Sequence, residues 1–133
     1  RDLVRSRGLG DVYKRQLGVP LLVYPEGTTT DGLHGLLPFK STPFEAVLRE
    51  RRPVQPLITV YHVPCGTMNP AWYGDQELLP HIWQLLGLKE ILVDVYSCKQ
   101  IKPETENRKE LAERVCREMS EAYCRHTGIE VRI

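Results

Sequence analysis

The feature of this sequence that most limits its possible folds is a long amphipathic segment, residues 108–126. Asn107 and Glu110 have the spacing of a capping box, and Gly128 is a residue type that commonly ends helices. The segment therefore predicts a helix. One side of the helix is charged, through Glu113, Arg114, Arg117 and Glu121. The other side carries an apolar stripe, which with its flanks comprises Leu111, Val115, Met119, Ala122, Ala112, Cys116 and Tyr123. Because a helix with one apolar stripe must pack on another layer, we expect it to lie on a sheet.

Composition places the chain among globular proteins. Its 133 residues are 41% hydrophobic and 26% charged, as in an ordinary domain. With 18 basic and 17 acidic residues the net charge is only +1, so no long-range field attracts nucleic acid or an anionic bilayer. No apolar run approaches the roughly 20 residues that cross a membrane. The four cysteines lack metal-site spacing, which favours reduced thiols and a cytosolic setting.

The first sixteen residues differ from the rest of the chain. They contain five lysines or arginines and several glycine or serine breaks, without a steady period. We interpret residues 1–16 as a non-native or disordered tail that resembles translated adapter sequence, and residues 17–133 as the C-terminal part of a larger domain. The alternative is a basic arm that contacts lipid phosphates or nucleic acid.

Strand and helix patterns alternate through the first half of the remaining chain. Residues 21–24 form a short apolar run that predicts a buried strand, and the loop 25–32 should follow it at a sheet edge. A short helix is expected to begin near Pro43, because proline suits a first helical turn. Residues 57–61 are β-branched at alternating positions and predict a second strand.

The second half continues with a loop, a helix and a strand. Glycine, proline and asparagine predict a loop over residues 62–75, in which Trp72 and Tyr73 either sit at a bilayer interface or, as we favour, pack in the core. A helix over residues 79–86 should follow. Residues 90–97 predict a strand whose buried face consists of Ile91, Val93 and Val95.

The loop after the first predicted strand is the main candidate for a binding site. It combines a carboxylate, a flexible glycine and three hydroxyls, which can hydrogen-bond a polar head group; they are Glu26, Gly27, Thr28, Thr29 and Thr30. The alternative is a surface turn in which Asp31 and Thr28 bond to nearby backbone amides.

A series of short motifs follows in a specific order: Tyr24-Pro25-Glu26-Gly27-Thr28, Pro38-Phe39-Lys40-Ser41, Pro53-Val54-Gln55-Pro56-Leu57-Ile58, Ala71-Trp72-Tyr73-Gly74-Asp75, Leu79-Pro80-His81 and the final helix from Arg108. This succession resembles the lysophosphatidic acid acyltransferase (glycerolipid acyltransferase) family. It is most similar to bacterial members with Glu-Gly-Thr-Thr, which include lyso-ornithine lipid acyltransferases. The resemblance implies a partial α/β glycerolipid acyltransferase fold, a mixed sheet flanked by helices with its N-terminal part missing.

The resemblance also implies an activity in phospholipid biosynthesis. A fatty acyl group would pass from an acyl carrier protein or coenzyme A thioester to the hydroxyl of a lysophospholipid. Lysophosphatidic acid is the leading acceptor and lyso-ornithine lipid the alternative. The thioester is a co-substrate, so no cofactor or metal is implied. We expect the parent protein at the cytoplasmic face of the inner membrane, attached through its missing N-terminal part, with no nucleic-acid partner.

The general base of this family is a histidine followed five positions later by aspartate, upstream of the motifs above. Here the residues five positions after the four histidines are Phe39, Thr67, Leu86 and Val131. We therefore expect the chain to lack its own base and to be inactive alone. A lipid-binding or scaffold protein without catalysis is the alternative from another class. A nucleic-acid module is a third, resting only on the basic residues before Leu17.

The resemblance also implies which residues of this chain bind substrate, position by position. Glu26, Gly27 and Thr28 match the acceptor-binding motif, but Thr29 stands where many members have an arginine. Because threonine cannot replace a permanently charged, bidentate phosphate contact, either phosphate is bound elsewhere or the acceptor differs. Lys40 is the nearest candidate cation, with a solvated surface lysine as the alternative. His81 is expected to be structural.

Overall fold

The computed structural model describes residues 20–62 and 69–128 of the chain. They form a mixed α/β fold, which confirms the predicted class. The elements, numbered along the chain, are α1 (Thr42–Glu50), β1 (Leu57–His62), α2 (Leu78–Leu86), β2 (Leu92–Ser97) and α3 (Arg108–Thr127). The tail predicted at residues 1–16 and Cys65, one of the four cysteines predicted to be reduced, lie outside the described residues.

Helix α3 begins and ends where its sequence predicts. The Asn107 side chain accepts hydrogen bonds from the Lys109 and Glu110 amides, and the Glu110 carboxylate accepts one from the Asn107 amide at 2.9 Å. Gly128 closes the helix with a φ of 70°. Both predicted caps are therefore confirmed, and they satisfy backbone groups that have no partner within the helix.

The core follows the apolar stripe of α3. Leu111 and Val115 are almost fully buried and pack with α1 residues and with Ile101. Farther along the helix, Ala122 and Tyr123 pack against Ile58 of β1. Thus α3 joins α1 and the sheet into one unit, as its stripe predicted. Arg114 departs from its expected outward position, because it is half-buried and forms ion pairs with Glu104 and Glu106.

The sheet in the described residues consists of β1 and β2, which are antiparallel, from Leu57 opposite Ser97 to His62 opposite Leu92. Only the face with Ile58 packs on α3. The face predicted to be buried in β2 is open instead, with Ile91, Val93 and Val95 exposed by 40%, 41% and 61%. The prediction was wrong because alternation identifies two faces but does not show which one a helix covers.

The run at residues 21–24 forms no strand, since none of the described residues pairs with it in a ladder. Leu22 and Tyr24 are 68% and 79% exposed, so the prediction of a buried strand was wrong. A strand requires a hydrogen-bonded neighbour, which local sequence does not reveal. None of the described helices is both long enough and apolar enough to cross a bilayer.

Candidate functional site

The segment of residues 24–40, which we call the site loop, takes its overall shape from three hydrogen bonds near and between its ends, in addition to local bonds around Asp31. Its ends meet where the Lys40 amide donates to the Pro25 carbonyl at 2.8 Å. A tight turn forms where the Gly27 amide donates to the Tyr24 carbonyl at 3.2 Å. Across the loop, the Glu26 carboxylate accepts from the Leu37 amide at 2.9 Å. The predicted site residue Glu26 therefore also fixes the shape of the loop.

Gly27 and Lys40, both predicted to bind substrate, lie in direct contact. Its φ of +70° lies in the left-handed region, which glycine adopts without strain. A β-carbon at this position would lie 2.8–2.9 Å from the Cε, Cδ and Nζ atoms of Lys40. The Lys40 side chain thus lies directly over Gly27, while Thr28 and Thr29 are exposed on the same turn. The five residues predicted for substrate binding occupy one small region of the surface.

Asp31 mainly organises the turn around it. Its carboxylate accepts from the Leu33 amide at 3.0 Å and lies 3.3 Å from the His34 ring. The Leu33 amide is the main reason that the pKa of Asp31 is lowered, with His34 contributing less. The predicted alternative role, bonding to local amides, thus applies to Asp31. Thr30 rather than Thr28 provides the neighbouring hydroxyl, which accepts from the Gly32 amide at 3.3 Å.

Two distant side chains attach the site loop to the rest of the fold. The Tyr123 hydroxyl on α3 donates to the Gly32 carbonyl at 2.5 Å, and the Asn69 amide donates to the Asp31 carbonyl at 2.9 Å. Burial raises the pKa of Tyr123, and the negative charges of Glu26 and Asp31 raise it further. Neither contact leaves a local signal in the sequence, because they join residues 91 and 38 positions apart.

Two cavities adjoin the loop. The larger, about 710 Å³, has a mainly apolar lining of residues 20–25 and core side chains that include Phe39, Phe44 and Ile58. The smaller, about 420 Å³, is lined by Thr30, Asp31, Thr59, Asn69 and Tyr123 among others. Glu26 lines both cavities. A ligand with a polar head and an apolar chain could contact Glu26 from both sides.

No histidine in the described part of the chain lines either cavity. His62 contacts Asp94 at 2.7 Å across the sheet, where both side chains are about half exposed. His34 is 86% exposed beside Asp31. His81 is buried on α2, with its Nε2 atom 3.2 Å from the Pro70 carbonyl, in agreement with its predicted structural role.

The remaining predictions concern metals and aromatic residues. Within residues 20–62 and 69–128, no group of three or more His, Cys, Asp or Glu side chains is arranged to bind a metal. Trp72, which we expected in the core, is 41% exposed, and its indole N–H donates to the Gln76 carbonyl at 2.8 Å. Tyr73 is half-buried.

Comparison with known proteins gives one informative similarity. The chain is 38% identical over 78 residues to a lyso-ornithine lipid O-acyltransferase from Rhodobacter capsulatus. The match spans 53% of this chain and 28% of the length of that relative. No protein-family model matches the chain, and no solved structure matches it. The partial similarity supports a relationship between this chain and the acyltransferases of lipid metabolism.

Proposed function

We propose that this chain is the acceptor-binding part of an O-acyltransferase that moves a fatty acyl group from an acyl carrier protein or coenzyme A thioester to the hydroxyl of a lysolipid. The observation that carries the proposal is the position of Glu26, which lines both the larger cavity and the smaller one that holds Thr30, Asp31 and Asn69. A lysolipid has one polar head group and one hydrocarbon chain, so a carboxylate shared by two adjoining cavities suits it, with the head group near Thr30, Asp31 and Asn69 and the chain in the larger cavity. The similarity to an acyltransferase supports the same class of reaction.

The proposed site uses several groups to hold the acceptor. Exposed hydroxyls of Thr28 and Thr29 are available to hydrogen-bond a head group, and Lys40 lies over Gly27 as a nearby positive charge. Glu26 keeps its loop in place through the Leu37 amide. Together these residues would position the acceptor hydroxyl, which lowers the entropic barrier of a two-substrate reaction.

The chemical step also needs a base. As the acceptor oxygen attacks the thioester carbon, a carbon–oxygen bond forms, the carbon–sulfur bond breaks, and the hydroxyl proton must be removed while the thiolate leaves and is protonated. Such a base typically contributes about 10²–10⁴-fold in rate. We propose that a histidine outside this chain supplies it, at the cytoplasmic face of the inner membrane.

Two acceptors are candidates. Lysophosphatidic acid would need cationic contacts for its phosphate, and Lys40 is the only lysine or arginine of the site loop. Thr29 and the two carboxylates Glu26 and Asp31 suit a head group that also carries an ammonium, such as that of lyso-ornithine lipid. The partial similarity to an enzyme of that name favours lyso-ornithine lipid.

The test is an acyl-transfer assay on the complete product of the gene that encodes this chain. Thioesters of acyl carrier protein and of coenzyme A, each radiolabelled in the acyl group, would be offered with lysophosphatidic acid and with lyso-ornithine lipid. We expect labelled product from at least one acceptor, about tenfold less after Thr28→Val removes a hydrogen-bonding hydroxyl, and no change after the matched exposed substitution Thr105→Val. Saturable lysolipid binding without transfer from any donor would instead establish the non-catalytic alternative.

A further inference from the structure

Helix α2 has an apolar surface that no described element covers. Leu79, Ile82, Trp83 and Leu86 follow the three- and four-residue spacing of one helical face. Their exposed fractions are 79%, 39%, 80% and 73%. We call these four residues the α2 stripe. Exposure of a contiguous stripe of large apolar residues, rather than isolated ones, indicates an interaction surface.

The attachment of α2 leaves this stripe facing outward. The helix packs against no other helix or strand among the described residues. It is attached through the opposite side, where buried His81 lies 3.2 Å from the Pro70 carbonyl and Leu85 is half-buried. None of the α2 residues lines either cavity. The stripe is therefore separate from the candidate site and from the open face of the sheet.

The chemistry of the segment matches a lipid surface. Residues 78–88 contain no Asp, Glu, Lys or Arg, and charges appear only at Glu77 and Lys89 beyond its two ends. Trp83, its most exposed member, belongs to the residue type enriched at the boundary between head groups and hydrocarbon. Insertion of such a stripe into apolar material lowers the free energy, because apolar side chains leave water and no ionic group must be desolvated.

The stripe is also tied to the site loop by a short series of contacts. Asn69 donates to the Asp31 carbonyl at 2.9 Å and accepts from the Ala71 amide at 3.0 Å. The carbonyl of Pro70, which lies between Asn69 and Ala71 in the sequence, contacts His81 of α2. A surface that the stripe enters would consequently be held close to the loop proposed to bind a lysolipid head group.

We propose that α2 lies in the interfacial layer of a lipid bilayer, with the α2 stripe inserted among the acyl chains and the site loop held near the head groups. The proposal rests on the proposed function only in that the acceptor is a membrane lipid. Insertion itself requires neither an acyl donor nor a catalytic base. Because no cationic residue takes part, binding should not depend on anionic lipid.

The experiment uses the 133-residue chain with Trp72→Phe, so that Trp83 is the remaining tryptophan. Phosphatidylcholine vesicles are added at about 0.5 M salt, which screens contacts by the basic residues before Leu17. We expect a blue shift of Trp83 emission and quenching by brominated acyl chains. Leu79→Glu and Leu86→Glu should each weaken partitioning by about tenfold or more, without loss of helical circular dichroism, because both side chains are already exposed.

Leu92→Glu is the matched control, because it adds the same charge to a leucine of β2 that is 56% exposed and lines neither cavity. It should leave partitioning unchanged. Absence of partitioning, equal loss in all three variants, or dimerisation that Leu79→Glu abolishes would each overturn the proposal, the last by assigning the stripe to a protein interface. The measurement contains no acyl donor, so failure of acyl transfer and failure of insertion are distinguishable.

Discussion

Gly27 determines much of the shape of the candidate site although it has no side chain. Its left-handed backbone forms the turn that exposes Thr28 and Thr29, and the absence of a side chain leaves room for Lys40 above it. Glu26 adds a hydrogen bond across the loop to the Leu37 amide. The motif identified in sequence is therefore a shaped backbone turn as much as a set of polar side chains.

Substitution of Gly27 tests both the left-handed backbone of the turn and the room that it leaves for the Lys40 side chain. Gly27→Ala should lower the free energy of unfolding by about 1 kcal/mol, the typical cost of a side chain in the left-handed region. The flexible end of Lys40 must also move away, so lysolipid affinity should fall. Both quantities are measured by urea denaturation and calorimetric titration.

Gly74→Ala is the control for this prediction. Gly74 has a similar φ of 63°, but an added β-carbon would meet nothing within 4 Å. It should lose comparable stability and keep its affinity. Equal affinity of the Gly27→Ala and Gly74→Ala variants would show that contact between Gly27 and Lys40 has no part in binding.

Tyr123 makes stability depend on pH in a direction that follows from its raised pKa. Burial keeps the phenol protonated in the folded protein to a higher pH than the ordinary value of 10.0. Its contribution is therefore complete below about pH 10 and is lost as pH rises through the folded-state pKa. Tyr123→Phe should cost about 1 kcal/mol at pH 7 through the lost hydrogen bond to Gly32.

The difference in unfolding free energy between wild type and Tyr123→Phe should become smaller above about pH 10.5. There Tyr123 ionises in the unfolded wild-type chain, which favours unfolding. Urea denaturation of both proteins at pH 7 and at alkaline pH measures it, and comparison of the pair cancels titration of lysines. A difference that stays constant across this range would mean that Tyr123 ionises equally in the folded and unfolded chains.

Among the elements, those with local signals were predicted and those with distant partners were not. The caps of α3 and the proline in the first turn of α1 act within a few residues, so sequence revealed both helices. Residues 21–24 have the composition of a strand, yet they lack a paired neighbour among the described residues. For β2, the alternating pattern predicted a buried face of Ile91, Val93 and Val95, but these are exposed, and of the residues from Leu92 to Ser97 only Tyr96, on the opposite face, is partly buried.

The N-terminal cap of α3 offers a direct test of the local account. Asn107→Ala removes an oxygen that accepts from two amides, and it should lower the free energy of unfolding by about 1 kcal/mol. Glu77→Ala is the control, because Glu77 occupies the same position before α2 but makes no side-chain cap. Its effect should stay within about 0.5 kcal/mol. A similar loss for both variants in thermal or urea unfolding would contradict the importance of the cap.

Considered as a whole molecule, the chain shows which parts of the candidate site sequence can reveal. Glu26, Gly27, Thr28, Thr29 and Lys40 were identified from one motif and its neighbour, and the fold places them together. Tyr123 and Asn69 were missed, because only the packing of α3 and the return of the chain after β1 bring them to the site loop. The two cavities likewise depend on tertiary packing and leave no sequence pattern.

Binding of a lysolipid head group by the site loop is measured directly by titration of this chain with a short-chain, monomeric lysolipid. Glu26→Gln removes the charge but keeps an oxygen that can accept from the Leu37 amide, so the loop should persist. Glu113→Gln, on the exposed side of α3, makes the same change away from the loop.

Lyso-ornithine lipid is the first ligand for this calorimetric titration, followed by lysophosphatidic acid. We predict saturable binding to the wild-type chain and to Glu113→Gln, with affinity about tenfold weaker for Glu26→Gln, the size expected for one charge-assisted hydrogen bond. Equal affinities of all three proteins for both ligands, or no binding to any of them, would contradict the account.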